Sequence, residues 1–401
     1  MKNDQVRPIF LELIKKTNYK SILLLIEEKT KISRTEIASI TSLSPATVTN
    51  ACEVLIKHGL VMEVSRGFSR GGRRPIFLEI NPDAGDIVSV SVRKSRVRVV
   101  ISNLKCEIVS SRIGELEAGA DAEETAVRLI AEEIRERGPK NIVGMGIALD
   151  AEYDAEAGRS VPVHRIDPER IKNRLHGIFG FPVILENRAN LCAIAEYAFY
   201  YENRIGDLIY LDLDDEVTAG ILMRGNILKN ERGLTSDVGH LHFRYSHRTC
   251  VCGKNGCVHE FFSMTSVRRR AIDGVVSGQS RLLAELCGHD LNGIDERVIL
   301  QAALRQDGFT LQLLEEYVDN LVVLLEHLVH LFHPGAVVLG GKFASFKKAV
   351  AGILAEKIGN CPVLKDVVVD FSHYKENAAV KGASKAALLH SLSTFEAEES
   401  T

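Results

Sequence analysis

One short segment, residues 237–260, carries a cluster of cysteines and histidines that limits what the chain can fold into. Cys250, Cys252 and Cys257 lie within eight residues in a C-x-C-x₄-C pattern, with glycines between them that let the backbone fold back. Three thiolates and one imidazole match the donor set of a closed tetrahedral zinc site. The pattern therefore predicts a structural zinc ion, in preference to a redox pair or three unrelated buried thiols.

Four histidines near the cysteines compete for the remaining coordination position: His240, His242, His247 and His259. His240 is the preferred fourth ligand because it would connect the loop to the segment that enters it.

Length and composition indicate a globular protein of two or three domains. The chain has 401 residues, of which 45% are hydrophobic and 26% charged. No apolar run approaches the roughly 20 residues that span a bilayer, and the first residues lack a signal-peptide pattern. Eight cysteines, three of them clustered for metal, favour a reducing compartment over a disulfide scaffold. We therefore expect a cytoplasmic protein with no membrane partner.

The charge is distributed unevenly along the chain. Residues 1–80 carry 13 Lys and Arg against 8 Asp and Glu, a net of +5, so the total of −3 leaves −8 on the remainder. A basic head on an acidic body favours a polyanionic partner for the head.

Two helix-start signals follow each other in this basic head. A capping box that begins at Ser33 predicts a helix over residues 34–41, and Ser44 followed by Pro45 predicts a second over 45–58. Such a pair is typical of a helix-turn-helix. Its apolar positions predict a small core of Ile37, Ile40, Val48, Leu55 and Ile56. The residues expected to face DNA from the second helix are Ser44, Pro45, Thr47, Thr49 and Asn50.

The residues after this pair predict two strands around a basic, glycine-rich tip, as in the wing of a winged helix. The arginines that would meet phosphates or enter a minor groove are Arg66, Arg70, Arg73 and Arg74. The alternative is a helical interaction domain with a solvated basic hairpin. Helix pair, hairpin and net charge together favour double-stranded DNA as the partner.

Beyond Asn81 and Pro82 the pattern alternates between strands and helices, which predicts an α/β body. Helices are expected over residues 122–137 and 168–178, and a closing helix over 379–392.

The pair Gly239-His240, followed by C-x-C-G-x-x-G-C, resembles the zinc signature of the ROK family (repressors, open reading frames and sugar kinases). The resemblance covers essentially the whole chain, including a GGRRP segment before the second domain. In that family the zinc is structural, and the ligands implied here are His240, Cys250, Cys252 and Cys257.

The resemblance also implies a domain organisation. A winged helix-turn-helix would occupy residues 1–82, and a two-lobed, actin-like sugar-kinase fold residues 83–401. Lobe 1 would comprise about 83–200 together with a C-terminal helix over about 379–401. Lobe 2 would comprise about 201–378.

A ROK kinase needs glycine-rich turns around the ATP phosphates and a carboxylate base for the sugar hydroxyl. The place of the first turn reads SVRKSRVRV, and the second keeps Gly220 but begins with Asp214, Asp215 and Glu216, which are expected to repel a triphosphate. In the family motif E-N-D-x-N the Asp is the base. Arg188 stands in its place, and an arginine cannot accept a proton. The chain is therefore expected not to be an enzyme.

The sugar-contacting positions of the family correspond to Asn187, Arg188, Asp237, His240 and His259. Replacement of acids by Arg188 and His259 shifts the expected effector from a neutral polyol toward an anionic one, such as a sugar phosphate. The alternatives are an Arg188 paired internally with Asp237, and a His259 that only supports the zinc ligands. The neighbouring Glu260 is a second candidate for the lost acid.

Together these features predict a zinc-containing repressor of carbohydrate-related genes that responds to a sugar or sugar-derivative effector. It would bind a palindromic operator as a homodimer or homotetramer. The alternatives are a sugar kinase with unusual ATP contacts, and a constitutive repressor whose pocket is filled by its own side chains.

Overall fold

A computed structural model describes residues 17–66, 76–117, 119–138, 141–154, 159–229 and 237–393. The chain divides into two compact units. The first comprises Met1–Ala148, Ile166–Leu185 and Ala383–Thr401, and the second Leu149–Arg165 and Glu186–Gly382. No helix in the described ranges combines the length and apolar character needed to cross a membrane.

The first unit begins with a small module of helices and strands. Its helices are α1 (Thr17–Lys29), α2 (Arg34–Thr41) and α3 (Pro45–Lys57). Its sheet has the order β1-β3-β2, formed by β1 (Ile32–Ser33), β2 (Val61–Arg66) and β3 (Ile76–Ile80), with antiparallel pairing throughout. The two starts expected from the sequence are present, because Ser33 and Glu36 form a full capping box and the Ser44 side chain accepts from Thr47 N.

The core of this module is apolar and closely follows the helical pattern. Ile37, Val48 and Leu55 are fully buried, and Ile56 is half-buried. Ile40, which was expected in the same core, is 55% exposed. The reason is its place in the last turn of α2, which ends one residue later, so none of the described elements covers its side chain.

The rest of the first unit is an α/β layer. Its sheet has the order β10-β7-β4-β5-β6, with β4, β5 and β6 antiparallel. Its strands are β4 (Asp86–Val92), β5 (Arg96–Asn103), β6 (Ile108–Glu115), β7 (Ile142–Leu149) and β10 (Val183–Asn187). Its helices are α4 (Ala122–Arg137), α5 (Pro168–Phe179) and most of α13 (Ala378–Ser393). Every residue of β4 is buried, which is expected of a central strand covered on both faces.

Ion pairs connect the N-terminal module to the α/β layer within this unit. Glu27 of α1 pairs with Lys385 of α13, and only about a tenth of either side chain is exposed. Glu79 of β3 pairs with Lys105 of the layer at 2.5 Å and, within the module, with Lys31 at 3.3 Å. These contacts hold the module against a helix and a turn of the layer.

The second unit is built on a mixed sheet of order β13-β12-β11-β14-β15. Its strands are β11 (Asp207–Leu213), β12 (Val217–Met223), β13 (Asn226–Ile227), β14 (Ala336–Gly340) and β15 (Val368–Phe371), with β11, β14 and β15 parallel. A separate hairpin pairs β8 (Ala151–Asp154) with β9 (Arg159–Pro162). Its helices are α6 (Arg188–Ala195), α7 (Val258–Phe262), α8 (Met264–Val276), α9 (Arg281–Leu286), α10 (Glu296–Leu304), α11 (Gly308–Phe332) and α12 (Lys347–Gly359).

Aromatic side chains fill the core of the second unit. Phe262, Tyr317, Phe343 and Phe346 are buried together, and the Tyr317 hydroxyl donates to the Phe262 carbonyl at 3.1 Å. The one buried polar group of this cluster is therefore satisfied.

The boundary between the units differs from the lobe boundary expected near residue 200. Helix α6 packs on β11 and β12, so residues from 186 onward belong to the second unit. The approach is close, because a Cβ on Gly220 of β12 would meet the Ala189 carbonyl oxygen at 2.2 Å. Only glycine at position 220 allows the start of α6 to lie there.

Candidate functional site

The cysteine loop is a compact turn structure fixed by backbone hydrogen bonds. His242 pairs with Cys257, and Thr249 with Asn255, as antiparallel bridges. Gly256 has φ +79°, and a Cβ there would meet the Arg244 carbonyl oxygen at 2.0 Å. The loop then leads directly into α7, at whose N-terminus Cys257 lies.

The loop brings four metal-donor side chains together. The donor atoms of His240, Cys250, Cys252 and Cys257 all lie within 4.8 Å of one another. Cys250 Sγ is 3.5 Å from His240 Nδ1, and Cys252 Sγ is 3.4 Å from Cys257 Sγ. Tetrahedral zinc with Zn–S bonds of about 2.3 Å separates its donors by roughly 3.7 Å, so this set fits the ion. The sulfur–sulfur distance is far beyond the roughly 2.05 Å of a disulfide.

Burial shifts the acidity of these donors toward their neutral forms. It raises the pKa of Cys250 to about 11 and, together with the hydrogen bond between Cys257 and Cys252, that of Cys257 to about 12. Burial also lowers the pKa of His240. A bound cation would therefore displace protons from the thiols and coordinate an imidazole that is already neutral.

His259 is buried between this loop and the acidic turn at residues 214–216. Its Nε2 lies 3.1 Å from the Asp215 carbonyl oxygen and 3.2 Å from Glu216 Oε2. Burial opposes protonation of the ring, but Glu216 outweighs it and raises the pKa of His259. Its ring is nearly parallel to that of His240, with centroids 5.8 Å apart.

Arg188 is the first residue of α6 and is enclosed by carboxylates. Its guanidinium ion-pairs with Asp212, lies 3.4 Å from Asp150 Oδ1 and lies 3.6 Å from Asp214 Oδ2. Only 11% of the side chain is exposed. These acids raise the pKa of Arg188 well above its usual value despite the opposing effect of burial. The partners differ from the Asp237 that was considered from the sequence.

The carboxylates of the acidic turn, residues 214–216, are also paired with basic side chains. Lys342 Nζ is 2.6 Å from Asp215 Oδ2 and 3.7 Å from Asp214 Oδ1. Arg268 Nη2 is 2.8 Å from Asp215 Oδ1. These ion pairs largely neutralise the negative charge of Asp214 and Asp215.

Two further residues expected to contact an effector have local structural roles. Asn187 is the N-cap of α6, and its Oδ1 accepts from Ala189 N at 2.8 Å. Asp237 precedes a short turn, and its carbonyl accepts from His240 N at 3.2 Å. Sequence reasoning missed Asp150, Asp212 and Lys342. Asp150 directly follows the buried strand β7, a position where polar residues often face a site, and this could have indicated it.

The residues expected to face DNA cluster at the start of α3. Ser44, Pro45 and Asn50 are exposed, and Thr47 and Thr49 are partly so. Thr47 Oγ1 shares a hydrogen bond with Ser44 Oγ at 2.8 Å, and Thr49 Oγ1 donates to the Pro45 carbonyl at 2.8 Å.

Of the arginines expected in the wing, Arg66 is the last residue of β2. Arg70, Arg73 and Arg74 lie outside the described residues.

Residues 96–390 match the sequence model of the ROK family. The chain belongs to the ROK family. Among ROK relatives, the xylose repressor of Caldicellulosiruptor bescii is 27% identical over 384 residues, which cover 92% of this chain and 95% of that protein.

Solved ROK structures share the mixed α/β, sugar-kinase-like fold. A ROK family transcriptional regulator, a homolog of the E. coli MLC protein, matches with a TM-score of 0.78 at 21% identity, covering 95% of this chain and 98% of its own. A ROK family glucokinase from Streptomyces griseus, solved with glucose and AMPPNP, matches with a TM-score of 0.62 at 20% identity. It covers 99% of its own chain but 76% of this one.

Proposed function

We propose that this ROK protein is a DNA-binding transcriptional repressor of carbohydrate-related genes that responds to a sugar or sugar derivative. The observation that carries the proposal is the α2–α3 helix pair, which presents an exposed α3 N-terminus and is joined by ion pairs to a ROK body. The relative named xylose repressor, which this chain matches over 92% of its length, supports the same conclusion.

The N-terminal module would act as a winged helix-turn-helix. Helix α3 would lie in the major groove, with Thr47, Thr49 and Asn50 near base edges. Ser44 and the wing arginines would contact phosphates or the minor groove: Arg66, Arg70, Arg73 and Arg74. A homodimer or homotetramer would present two such modules to a palindromic operator.

Phosphotransferase activity is not part of this proposal. The position of the family's base is held by Arg188, which is charged, buried and paired with three carboxylates. A group that can neither accept a proton nor leave its partners cheaply cannot activate a sugar hydroxyl.

Zinc would be a structural cofactor held by His240, Cys250, Cys252 and Cys257. The fit rests on the chemistry and spacing of these donors. The ion would fix the loop that follows Asp237 and thereby the entry to α7.

The effector would contact the second unit at Asn187, Asp237, His240 and His259. An anionic effector loses its main support, because Arg188 is already neutralised by its own carboxylates. The same pairing favours a second candidate, a constitutive repressor in which Arg188 takes the place of a ligand.

The test of the proposal is binding of the purified protein to DNA from upstream of its own gene, at two salt concentrations and against a scrambled duplex. We expect tight, sequence-preferring binding that weakens steeply with salt. Asn50→Ala on α3 should reduce the affinity for this DNA. The matched control Asn226→Ala changes an exposed residue of β13 and should leave the affinity unchanged. Absence of even nonspecific binding would refute the DNA-binding module.

A second arm tests the effector. Neutral sugars such as xylose and their phosphates are added to the protein–operator complex, and release of DNA is followed together with the thermal shift of the free protein. Release by a sugar supports the responsive repressor. Operator binding that no sugar alters or stabilises would favour the constitutive candidate.

A further inference from the structure

A second group of metal-donor side chains lies beside the cysteine loop. Cys250, His259 and Glu260 are all buried, and they offer a sulfur, a ring nitrogen and a carboxylate oxygen within 4.8 Å of one another. Cys250 belongs to the zinc cluster as well, whereas His259 and Glu260 lie in the first turn of α7. The two groups therefore share one thiolate.

The two ring nitrogens of His259 differ in their hydrogen-bond partners. The side chain is 4% exposed, and within the described residues its Nδ1 has no hydrogen-bond partner. Its Nε2 lies within hydrogen-bond distance of two acceptors, the Asp215 carbonyl at 3.1 Å and the Glu216 carboxylate at 3.2 Å, so this nitrogen is the donor. Nδ1 is the ring nitrogen that remains for a ligand.

A carboxylate lies close to this nitrogen. Nδ1 of His259 lies 3.8 Å from Glu260 Oε1, which is too long for a hydrogen bond. A buried nitrogen without a hydrogen-bond partner loses its solvation at a cost, and a cation bound to it would remove that cost.

The side chains of His259 and Glu260 also have partners of the kind that position metal ligands. The Glu216 carboxylate accepts a hydrogen bond from Nε2 of His259. Arg269 Nη2 donates to Glu260 Oε2 at 2.7 Å. A carboxylate on the far nitrogen of a histidine fixes the ring and raises its basicity as a ligand. One ring nitrogen of His259 and one carboxylate oxygen of Glu260 lie within 4.8 Å of Cys250 Sγ.

We propose that Cys250, His259 and Glu260 bind a second divalent cation, with the Cys250 thiolate bridging it to the structural zinc. One sulfur, one nitrogen and one oxygen donor suit Zn²⁺ or Co²⁺ rather than Mg²⁺ or Ca²⁺. The bridging thiolate and the Glu260 carboxylate supply the negative charge that the dication needs. Three protein donors leave its fourth position open to water.

The test is metal stoichiometry of the full chain, which does not depend on DNA binding. Protein stripped with a chelator under reducing conditions is titrated with Zn²⁺ by calorimetry, and bound metal is counted by mass spectrometry after dialysis. We expect two ions per chain, the second weaker than the first. His259→Gln should leave one ion with the affinity of the first unchanged, and Glu216→Gln should weaken the second about 10- to 100-fold.

Controls separate this site from other histidines and from misfolding. His247→Gln changes an exposed histidine of the same loop and should keep both ions. Glu260→Gln is a second donor variant of nearly unchanged shape, and circular dichroism verifies the fold of each protein. With Co²⁺ as the probe, the second equivalent should alter the visible spectrum in wild type but not in His259→Gln. A single ion in wild type, or a second one that survives both donor substitutions, overturns the proposal.

Discussion

Replacing Arg188 by methionine tests the carboxylate cluster that surrounds it. The substitution keeps much of the side-chain volume and removes the charge. It leaves Asp150, Asp212 and Asp214 around one point without the cation that they share. The side chains of Asp212 and Asp214 are 3% and 6% exposed, so water screens them poorly.

The expected loss of stability follows from these contacts. At an effective dielectric constant of about 20, two carboxylates roughly 6 Å apart repel by about 3 kcal/mol. Removal of one partner from a buried ion pair typically costs about 3–5 kcal/mol. We therefore expect Arg188→Met to lower the free energy of unfolding by about 3–5 kcal/mol at pH 7.

Urea denaturation followed by far-ultraviolet circular dichroism measures this change, since the chain has no tryptophan for fluorescence. Hydrogen exchange of α6 localises the loss to the second unit. Asp212→Asn in the Arg188→Met background should recover part of the stability, because it removes one of the carboxylates that repel each other. Arg305→Met, an exposed arginine, is the matched control. A stability of Arg188→Met within about 1 kcal/mol of wild type would refute the reasoning.

Three further predictions concern the loop and the N-terminal module. Cys257→Ala should lose zinc, loosen the loop and weaken operator binding indirectly; a folded, metal-free variant with wild-type operator affinity would contradict this. Burial raises the pKa of Glu79, but Lys105 and Lys31 outweigh it and hold that pKa below 4.5. Glu79→Gln should therefore cost about 1 kcal/mol at neutral pH. Because a depressed carboxyl pKa stabilises only above the unfolded value, the melting curves of variant and wild type should converge as the pH falls below about 4.5. Ser44→Ala should cost about 1 kcal/mol through loss of the α3 cap, and Ser44→Asn should restore stability in thermal melts.

The features that the sequence predicted well are those encoded by neighbouring residues. The capping box at Ser33 and the Ser44-Pro45 start gave α2 and α3 nearly to the residue, because the hydrogen bonds involved span only three positions. The cysteine spacing likewise brought the donors together, since bridges within the loop close over a few residues. Interactions between residues close in sequence are therefore sufficient to predict these features.

The features that the sequence did not predict depend on distant pairing. Arg188 meets Asp150 at the end of β7 and Asp212 on β11, and only the packing of α6 on the sheet brings them together. Residues 186–200 were expected in lobe 1, but the packing of α6 on β11 and β12 places them in the second unit. The exposure of Ile40 depends on where α2 ends relative to its neighbours, which periodicity alone does not specify.

The environment of Arg188 also constrains how this protein can evolve. An acid at position 188, the residue type that a phosphotransferase of this family needs, would place a fourth carboxylate beside Asp150, Asp212 and Asp214. Such a substitution would remove the cation that these acids share and add one more repelling charge, so it should destabilise the second unit more than Arg188→Met does. Asp150, Asp212 and Asp214 therefore favour a cation at position 188, and an acid there becomes tolerable only after some of these acids have changed.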